Sequence, residues 1–211
     1  MQAPRSSVDH LVYATPDLET GIRELEDLLG IRASAGGQHP GRGTRNALIA
    51  LGADVYLEII GPDPDQPPPA APRWFGIDGL DASRLVTWAA KTDDIERVHR
   101  DAVDDGIAIG VVRSGSRWRS DGVLLSWRLT EPAADMNDGV LPFFIDWGES
   151  PHPAASAAQG ATFIELRAEH PDAERVNRNL QALGLDVAVV RGPQSRLIAA
   201  LDGRHGRVEL G

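Results

Sequence analysis

The chain has 211 residues, of which 42% are hydrophobic, enough for one substantial core or two small ones. Its formal net charge of −10 argues against a nucleic-acid partner, because phosphate binding needs a positively charged surface. The absence of cysteine excludes disulfides, thiolate metal sites and a cysteine nucleophile. "MQAPRSSVD" lacks the apolar core of a signal peptide, and no apolar run approaches the roughly 20 residues of a membrane span, so we expect a cytoplasmic protein without a membrane partner.

A strand, an amphipathic helix and a glycine follow one another three times along the chain. The three copies are "HLVYATPDLETGIRELEDLLG", "VTWAAKTDDIERVHRDAVDDG" and "FIELRAEHPDAERVNRNLQALG". Asp17, Asp94 and Asp172 occupy the same place in each, 77 and 78 residues apart, where an acid suits the positive end of the helix dipole. Three further extended segments follow each helix, so the sequence predicts three βαβββ units.

Two segments rich in proline and small residues separate these units and are typical of linkers. We therefore predict a first module at 1–61, a proline-rich linker at 62–83, a second module at 84–148, a linker at 149–160 and a third, shorter module at 161–211.

The strands of the first module each predict one apolar face that a helix can cover and one face that is partly polar. In "VYLEIIG", for example, the apolar face consists of Val55, Leu57 and Ile59. The residues predicted on the opposite, concave face include His10, Thr44, Asn46, Tyr56 and Glu58. An ionised carboxylate buried without a partner costs several kcal/mol, so Glu58 must meet water, a hydrogen-bond donor or a cation.

Four segments resemble the vicinal oxygen chelate superfamily and, more narrowly, its glyoxalase-like domain proteins: "DHLVYATPDLE", "HPGRGTRNALIALG", "YLEIIGPDP" and "PFFIDWGESPHP". The resemblance covers roughly residues 7–153 by motif and the third unit by pattern only. It implies an α+β fold in which repeated βαβββ modules form a cupped, partly open β-barrel with the helices on the outside.

In this superfamily, the first and fourth strands of two paired modules hold a divalent metal. The resemblance assigns His10 and Glu58 to these positions in the first module. The second module offers Thr87 where a second histidine is expected, and Asp146 shifted by one residue. Imidazole and carboxylate ligands with open positions are typical of Zn, Ni, Mn or Fe, so a divalent metal is an expected cofactor.

A site with two histidines and one carboxylate needs a second histidine, for which His39 and His152 are the candidates. His152, in "SPHP", is predicted either as a metal ligand or as an exposed linker residue. His39, in "GGQHPGRGTRN", belongs either to a surface loop or to a substrate clamp in which Arg42 pairs an anionic substrate. Further predicted substrate contacts are Thr44, Asn46, Tyr56, Thr87, Phe144 and Asp146.

Two functions remain open at this point. In the first, a metal-dependent lyase, isomerase or dioxygenase acts on a small molecule with two neighbouring oxygens, and Glu58 is either a metal ligand or a general base. In the second, a metal-free cup sequesters a small molecule, as the resistance proteins of this superfamily do. The third unit could cover a sheet edge or form a dimer contact, so a homodimer is an open alternative.

Overall fold

The computed structural model describes residues 8–119, 122–131 and 139–211, so "MQAPRSS" lies outside the described residues. Within these ranges, one sheet has eight strands and a second sheet has four. None of the helices in the described part of the chain is long and apolar enough to cross a membrane.

The first module forms half of the larger sheet. It consists of β1 (Val8–Ala14), α1 (Leu18–Leu29), β2 (Ser34–His39), β3 (Thr44–Ala50) and β4 (Tyr56–Pro62). The strand order is β2-β3-β4-β1, with β1 parallel to β4. The α1 helix begins after Asp17, whose carboxylate accepts the Thr20 N–H at 2.8 Å, and ends at Gly30, which has a left-handed φ of 70°.

The second module repeats this arrangement and completes the sheet. It consists of β5 (Arg84–Lys91), α2 (Ile95–Asp104), β6 (Val112–Trp118), β7 (Leu124–Thr130) and β8 (Phe143–Asp146). Its strand order is β5-β8-β7-β6, and β5 pairs antiparallel with β1. The two edge strands meet where Arg117 on β6 donates from Nη1 to the Gly36 carbonyl on β2 at 3.0 Å. The sheet is therefore a nearly closed barrel, and the predicted fold class is confirmed.

The third module has the same order of elements but a different pairing of strands. It consists of β9 (Thr162–His170), α3 (Ala173–Ala182), β10 (Ala188–Arg191), β11 (Arg196–Gly203) and β12 (Gly206–Leu210). The strand parallel to β9 is β10, the one directly after the helix, and the order is β10-β9-β11-β12. Glu165 on β9 and Glu209 on β12 are therefore separated by β11, and Glu209 pairs with Arg167 at 2.6 Å.

One apolar core joins the helix-covered face of the large sheet, the helices and the small sheet. All three modules contribute to it, with members that include Leu11, Leu25, Leu57, Trp88, Ile95, Leu166, Val176 and Leu201. Backbone hydrogen bonds attach the third module to the first, from Phe163 N to Leu51 O and from Arg204 N to Leu29 O, both at 2.8 Å. Since this core uses one face of the large sheet, the concave face remains for a cavity.

Candidate functional site

A cavity lies inside the barrel, on the face of the sheet opposite the helices, and encloses about 520 Å³ including its open mouth. Its polar lining residues are His10, His39, Asn46, Tyr56, Glu58 and Arg117. Its apolar lining residues are Ile60, Trp74, Phe75, Trp127, Leu129, Phe143, Ile145 and Trp147. The polar groups come mostly from the first module and face an apolar wall supplied largely by the second, an arrangement typical of small-molecule sites.

A buried carboxylate holds His10 in place. The β1 strand is irregular between Val8 and His10, and Asp9 is buried at this point. The His10 Nδ1–H donates to Asp9 Oδ1 at 2.7 Å, and the His10 ring stacks on Tyr56 with 4.6 Å between ring centroids. Because Nδ1 is occupied, Nε2 is the nitrogen left for the cavity, where it lies 3.8 Å from Glu58 Oε2.

Asp9 stays ionised because its hydrogen bonds outweigh its burial. Burial by itself raises the pKa of Asp9, but hydrogen bonds from His10 and His152 lower it to about 2. His152 Nε2 donates to Asp9 Oδ2 at 3.2 Å, and Trp147 Nε1 donates to the same oxygen at 3.2 Å. His152 is therefore a partner of Asp9, on the carboxylate oxygen that His10 does not use, and it forms no contact with Glu58 among the described residues.

The other side of Glu58 is held by an amide. Asn46 Nδ2 donates to Glu58 Oε1 at 2.5 Å, and Asn46 Oδ1 accepts the Gly37 N–H at 2.8 Å, which orients the amide. His39 Nε2 lies 3.9 Å from Glu58 Oε1, while its Nδ1 lies 2.9 Å from the Thr44 hydroxyl. The buried carboxylate therefore meets a donor, one of the three partners that its burial required.

His39 is a neutral imidazole in this site. Burial lowers the pKa of His39 below its ordinary value of 6.5; the Glu58 carboxylate opposes this shift, and the Arg117 and Arg42 guanidiniums add to it. At neutral pH the ring can therefore accept or donate a hydrogen bond without bringing a charge into the cavity.

This lowered pKa predicts a loss of stability in mild acid. Below pH 6.5 the unfolded chain binds a proton at His39 that the folded chain does not, so the free energy of unfolding should fall as the pH falls. Urea unfolding of wild type and His39→Gln between pH 7.5 and 5 measures this. We expect the free energy of unfolding of the variant to depend less on pH than that of wild type. Equal slopes for the two proteins would contradict the argument that burial lowers the pKa of His39.

Arg117 lies outside the residues that the sequence pattern indicated. It is 7% exposed, lines the cavity, and forms no ion pair with any described residue. The two consecutive glycines of β2, Gly36 and Gly37, are the sequence feature that could have indicated it. A Cβ on Gly37 would lie 2.9 Å from Arg117 Nη1, and a Cβ on Gly36 would lie 2.1 Å from Asn46 Oδ1. The two glycines therefore make room for these two polar side chains.

Arg42 belongs to the rim of the barrel. It forms an ion pair with Glu131 of the second module, and its guanidinium carbon lies 4.2 Å from the centroid of the Trp74 ring. Arg42 is not among the lining residues of the cavity. Its ion pair with Glu131 links the β2–β3 turn to the segment that follows β7. Trp74 and Phe75, which do line the cavity, come from the segment predicted as a linker.

The second module places its predicted contacts away from the cavity. Because side chains alternate along β8, Phe143 forms the wall in place of the predicted Phe144, which is buried in the helix-side core. Asp146 accepts a hydrogen bond from Arg128 at 2.5 Å and is not a lining residue. Thr87 is buried in β5 and also lies outside the lining.

The donor set fits a divalent metal in kind but not in spacing. His10 and His39 both face Glu58 with Nε2, and each has its Nδ1 bonded to an outer oxygen, as metal-binding histidines usually do. The Nε2–carboxylate separations of 3.8 and 3.9 Å exceed the roughly 3.4 Å expected between two ligands of one tetrahedral ion. Across the described residues, no three histidine, cysteine or acidic side chains form a group that could hold a metal ion.

Two βαβββ modules sharing one cavity in a nearly closed barrel define the vicinal oxygen chelate type of fold. Residues 8–184 match the family model described as "Glyoxalase-like domain", and the chain belongs to this family. None of the curated proteins matches the sequence.

Comparison with solved structures finds similarities at low sequence identity. A hypothetical protein from Staphylococcus aureus is 15% identical with a TM-score of 0.63, over 96% of this chain and 83% of that one. Methylmalonyl-CoA epimerase from Mycobacterium tuberculosis is 19% identical with a TM-score of 0.43, over 69% of this chain and 92% of that one. A variant of Streptomyces coelicolor methylmalonyl-CoA epimerase, in complex with 2-nitronate-propionyl-CoA, is 18% identical with a TM-score of 0.45, over 69% of this chain and 99% of that one.

Proposed function

We propose that the cavity binds a small carbonyl compound with a neighbouring oxygen, and that His10 and Glu58 transfer a proton of that compound. This chemistry belongs to the isomerase and lyase classes. The observation that carries the proposal is the buried row Asp9–His10–Glu58, in which Asp9 Oδ1 binds His10 Nδ1 at 2.7 Å and His10 Nε2 faces Glu58 at 3.8 Å.

The row gives each group a distinct role. Because ionised Asp9 accepts the Nδ1 proton, the Nε2 lone pair of His10 points into the cavity and can accept a proton. Removal of a proton from the carbon next to a carbonyl sends the electron pair onto the carbonyl oxygen, giving an enolate. The proton now on His10 Nε2 passes to Glu58 Oε2, which lies 3.8 Å away, and from there to the other face or to the neighbouring carbon, so that both side chains end as they began.

Tyr56 supplies a hydrogen-bond donor for the developing enolate oxygen. Burial raises the pKa of Tyr56 well above its ordinary value, and the Asp9 and Glu58 carboxylates act in the same direction, so the phenol keeps its proton. A neutral donor in a buried site stabilises negative charge more strongly than it would in water. The apolar wall formed by Phe143, Trp127 and Trp147 excludes water from the reacting atoms.

Deuterium exchange tests this proposal without knowledge of the natural substrate. The protein is incubated in D₂O with 1-hydroxy-2-butanone or 2-oxobutanoate, and proton NMR follows deuterium entry at the carbons next to the carbonyl. We expect wild type to exceed the buffer rate, and His10→Gln to return to it, because glutamine can keep a contact to Asp9 but offers no basic nitrogen.

The same experiment separates catalysis from sequestration. Binding of either compound by calorimetry without exchange above buffer would refute proton transfer and support a metal-free binding protein. Exchange that survives in His10→Gln would assign the base to another group.

A metal-dependent form of the chemistry is a second candidate, favoured by the outer hydrogen bonds on both imidazoles. His10, His39 and Glu58 would hold the ion after moving closer together than their present 3.8 and 3.9 Å, and the ion would supply Lewis acidity toward the substrate oxygens. Elemental analysis of protein purified without chelator, beside His39→Ala, decides this. Stoichiometric Zn, Ni, Mn or Fe that is lost in the variant supports the metal form, and its absence after loading with each ion removes it.

A further inference from the structure

We propose that Arg117 makes this cavity a site for an organic acid, whose carboxylate or phosphate binds the guanidinium while the rest of the molecule reaches His10 and Glu58. The inference names the substrate class of the proton-transfer site and in that respect rests on the proposed function. It begins from a buried guanidinium that forms no ion pair with any described residue.

Arg117 is buried and has unused donors. Its Nη1 donates to the Gly36 carbonyl at 3.0 Å, the hydrogen bond that closes the seam between β2 and β6. No carboxylate in the described ranges lies within ion-pair distance of it, although it is only 7% exposed. A guanidinium carries several N–H donors in a planar fork that matches a carboxylate or a phosphate. Taking such a charge out of water costs free energy that a bound anion would offset.

The charges that face the cavity are separated. Glu58 lines the same space, but its Oε1 is bonded to Asn46 and neither oxygen reaches ion-pair distance of Arg117. His39 is neutral, because burial lowers its pKa. A ligand therefore meets a fixed cation at the β2–β6 seam and a carboxylate beside His10. This arrangement orients an acid with its anionic end at Arg117 and its reacting carbon at Glu58.

Arg117 lines a second pocket in addition to the cavity described above. This second pocket encloses about 340 Å³, including open solvent, and its lining also includes Ser34, Ser156 and Arg119. A carboxylate can bind Arg117 alone from the inner cavity, whereas a phosphate is large enough to contact both arginines. Replacing Arg119 distinguishes these two anions.

Calorimetric titrations with 2-oxobutanoate, the uncharged 1-hydroxy-2-butanone and inorganic phosphate test the proposal. We expect Arg117→Gln to weaken 2-oxobutanoate binding about 10- to 100-fold, with a much smaller effect on the ketone. Arg113→Gln is the matched control, because Arg113 lies on the same strand, pairs with Glu131 at 3.5 Å and is absent from the lining. Arg119→Gln should weaken phosphate binding and leave 2-oxobutanoate binding unchanged, because only phosphate contacts both arginines.

A measurement on the unaltered chain covers the case in which Arg117→Gln does not fold. The Arg117 Nε–Hε NMR signal, assigned by its loss in Arg117→Lys, should shift on addition of 2-oxobutanoate and not of the ketone. The proposal is overturned if the signal is indifferent to every acid added, or if folded Arg117→Gln binds acids as wild type does. Absence of exchange with 2-oxobutanoate, beside Arg117-dependent binding of it, would reject proton transfer alone.

Discussion

Glu58→Gln is expected to slow deuterium exchange into 1-hydroxy-2-butanone by about 100- to 10,000-fold, the usual contribution of a positioned acid or base. Glutamine keeps the size of the side chain and can still accept the Asn46 Nδ2 hydrogen bond, which is 2.5 Å long in the native protein. What it removes is the carboxylate that takes the proton from His10 and returns a proton to the substrate. The rate is measured by proton NMR in D₂O under saturating ketone.

Asp146→Asn is the matched control for this variant. Asp146 is a buried acid on the last strand of the second module, as Glu58 is in the first, but it pairs with Arg128 and lies outside the cavity lining. We expect it to lower the melting temperature and leave the exchange rate near wild type. Equal losses of exchange in the two variants would show that stability, and not the chemistry of Glu58, controls the rate.

The repeated pattern of the chain predicted the βαβββ units, and the resemblance to a known superfamily supplied their assembly into a barrel. Three capped helices with glycine after each, and strands whose side chains alternate between apolar and polar, specify βαβββ units through local chemistry alone. Asp17, for example, is the N-cap of α1 as an acid at that place suggests. The same alternation placed Tyr56 and Glu58 on one face of β4, and the structure has both in the cavity lining.

The remaining parts of the site depend on contacts that no local pattern encodes. Asp9 is buried because β1 is irregular at that point, which strict alternation cannot anticipate. Arg117 reaches the cavity only because the sheet curls until β6 meets β2. The position of His152 is fixed by a hydrogen bond to Asp9, a residue 143 positions earlier. Sequence reasoning therefore placed His10, Asn46, Tyr56 and Glu58 on the cavity face and did not anticipate Asp9 or Arg117.

The largest combined effect on stability and chemistry is expected from Asp9→Asn. The folded pKa of Asp9 is about 2 against an ordinary 3.8, so the ionised form contributes about 2 kcal/mol to the free energy of unfolding above pH 4. That contribution is present above the unfolded pKa and is lost as the pH falls from 3.8 towards 2, because the unfolded chain then binds the proton first. Urea unfolding of wild type and variant at pH 7 and pH 3 measures the free energy of unfolding at each pH. The variant should be less stable than wild type mainly at pH 7.

Asp9→Asn should also change which ring nitrogen of His10 carries the proton. This effect on His10 distinguishes a positioning role of Asp9 from a purely structural one. An asparagine can turn its amide N–H toward Nδ1, which moves the imidazole proton to Nε2 and removes the base from the cavity. Exchange should therefore fall, and raising the pH should not restore it. Asp63→Asn is the control, because Asp63 is also buried and accepts hydrogen bonds from Gln38 and Gln66 but lies outside the lining. If both variants lose stability and neither loses exchange, Asp9 only stabilises the barrel, and the base in the cavity does not depend on it.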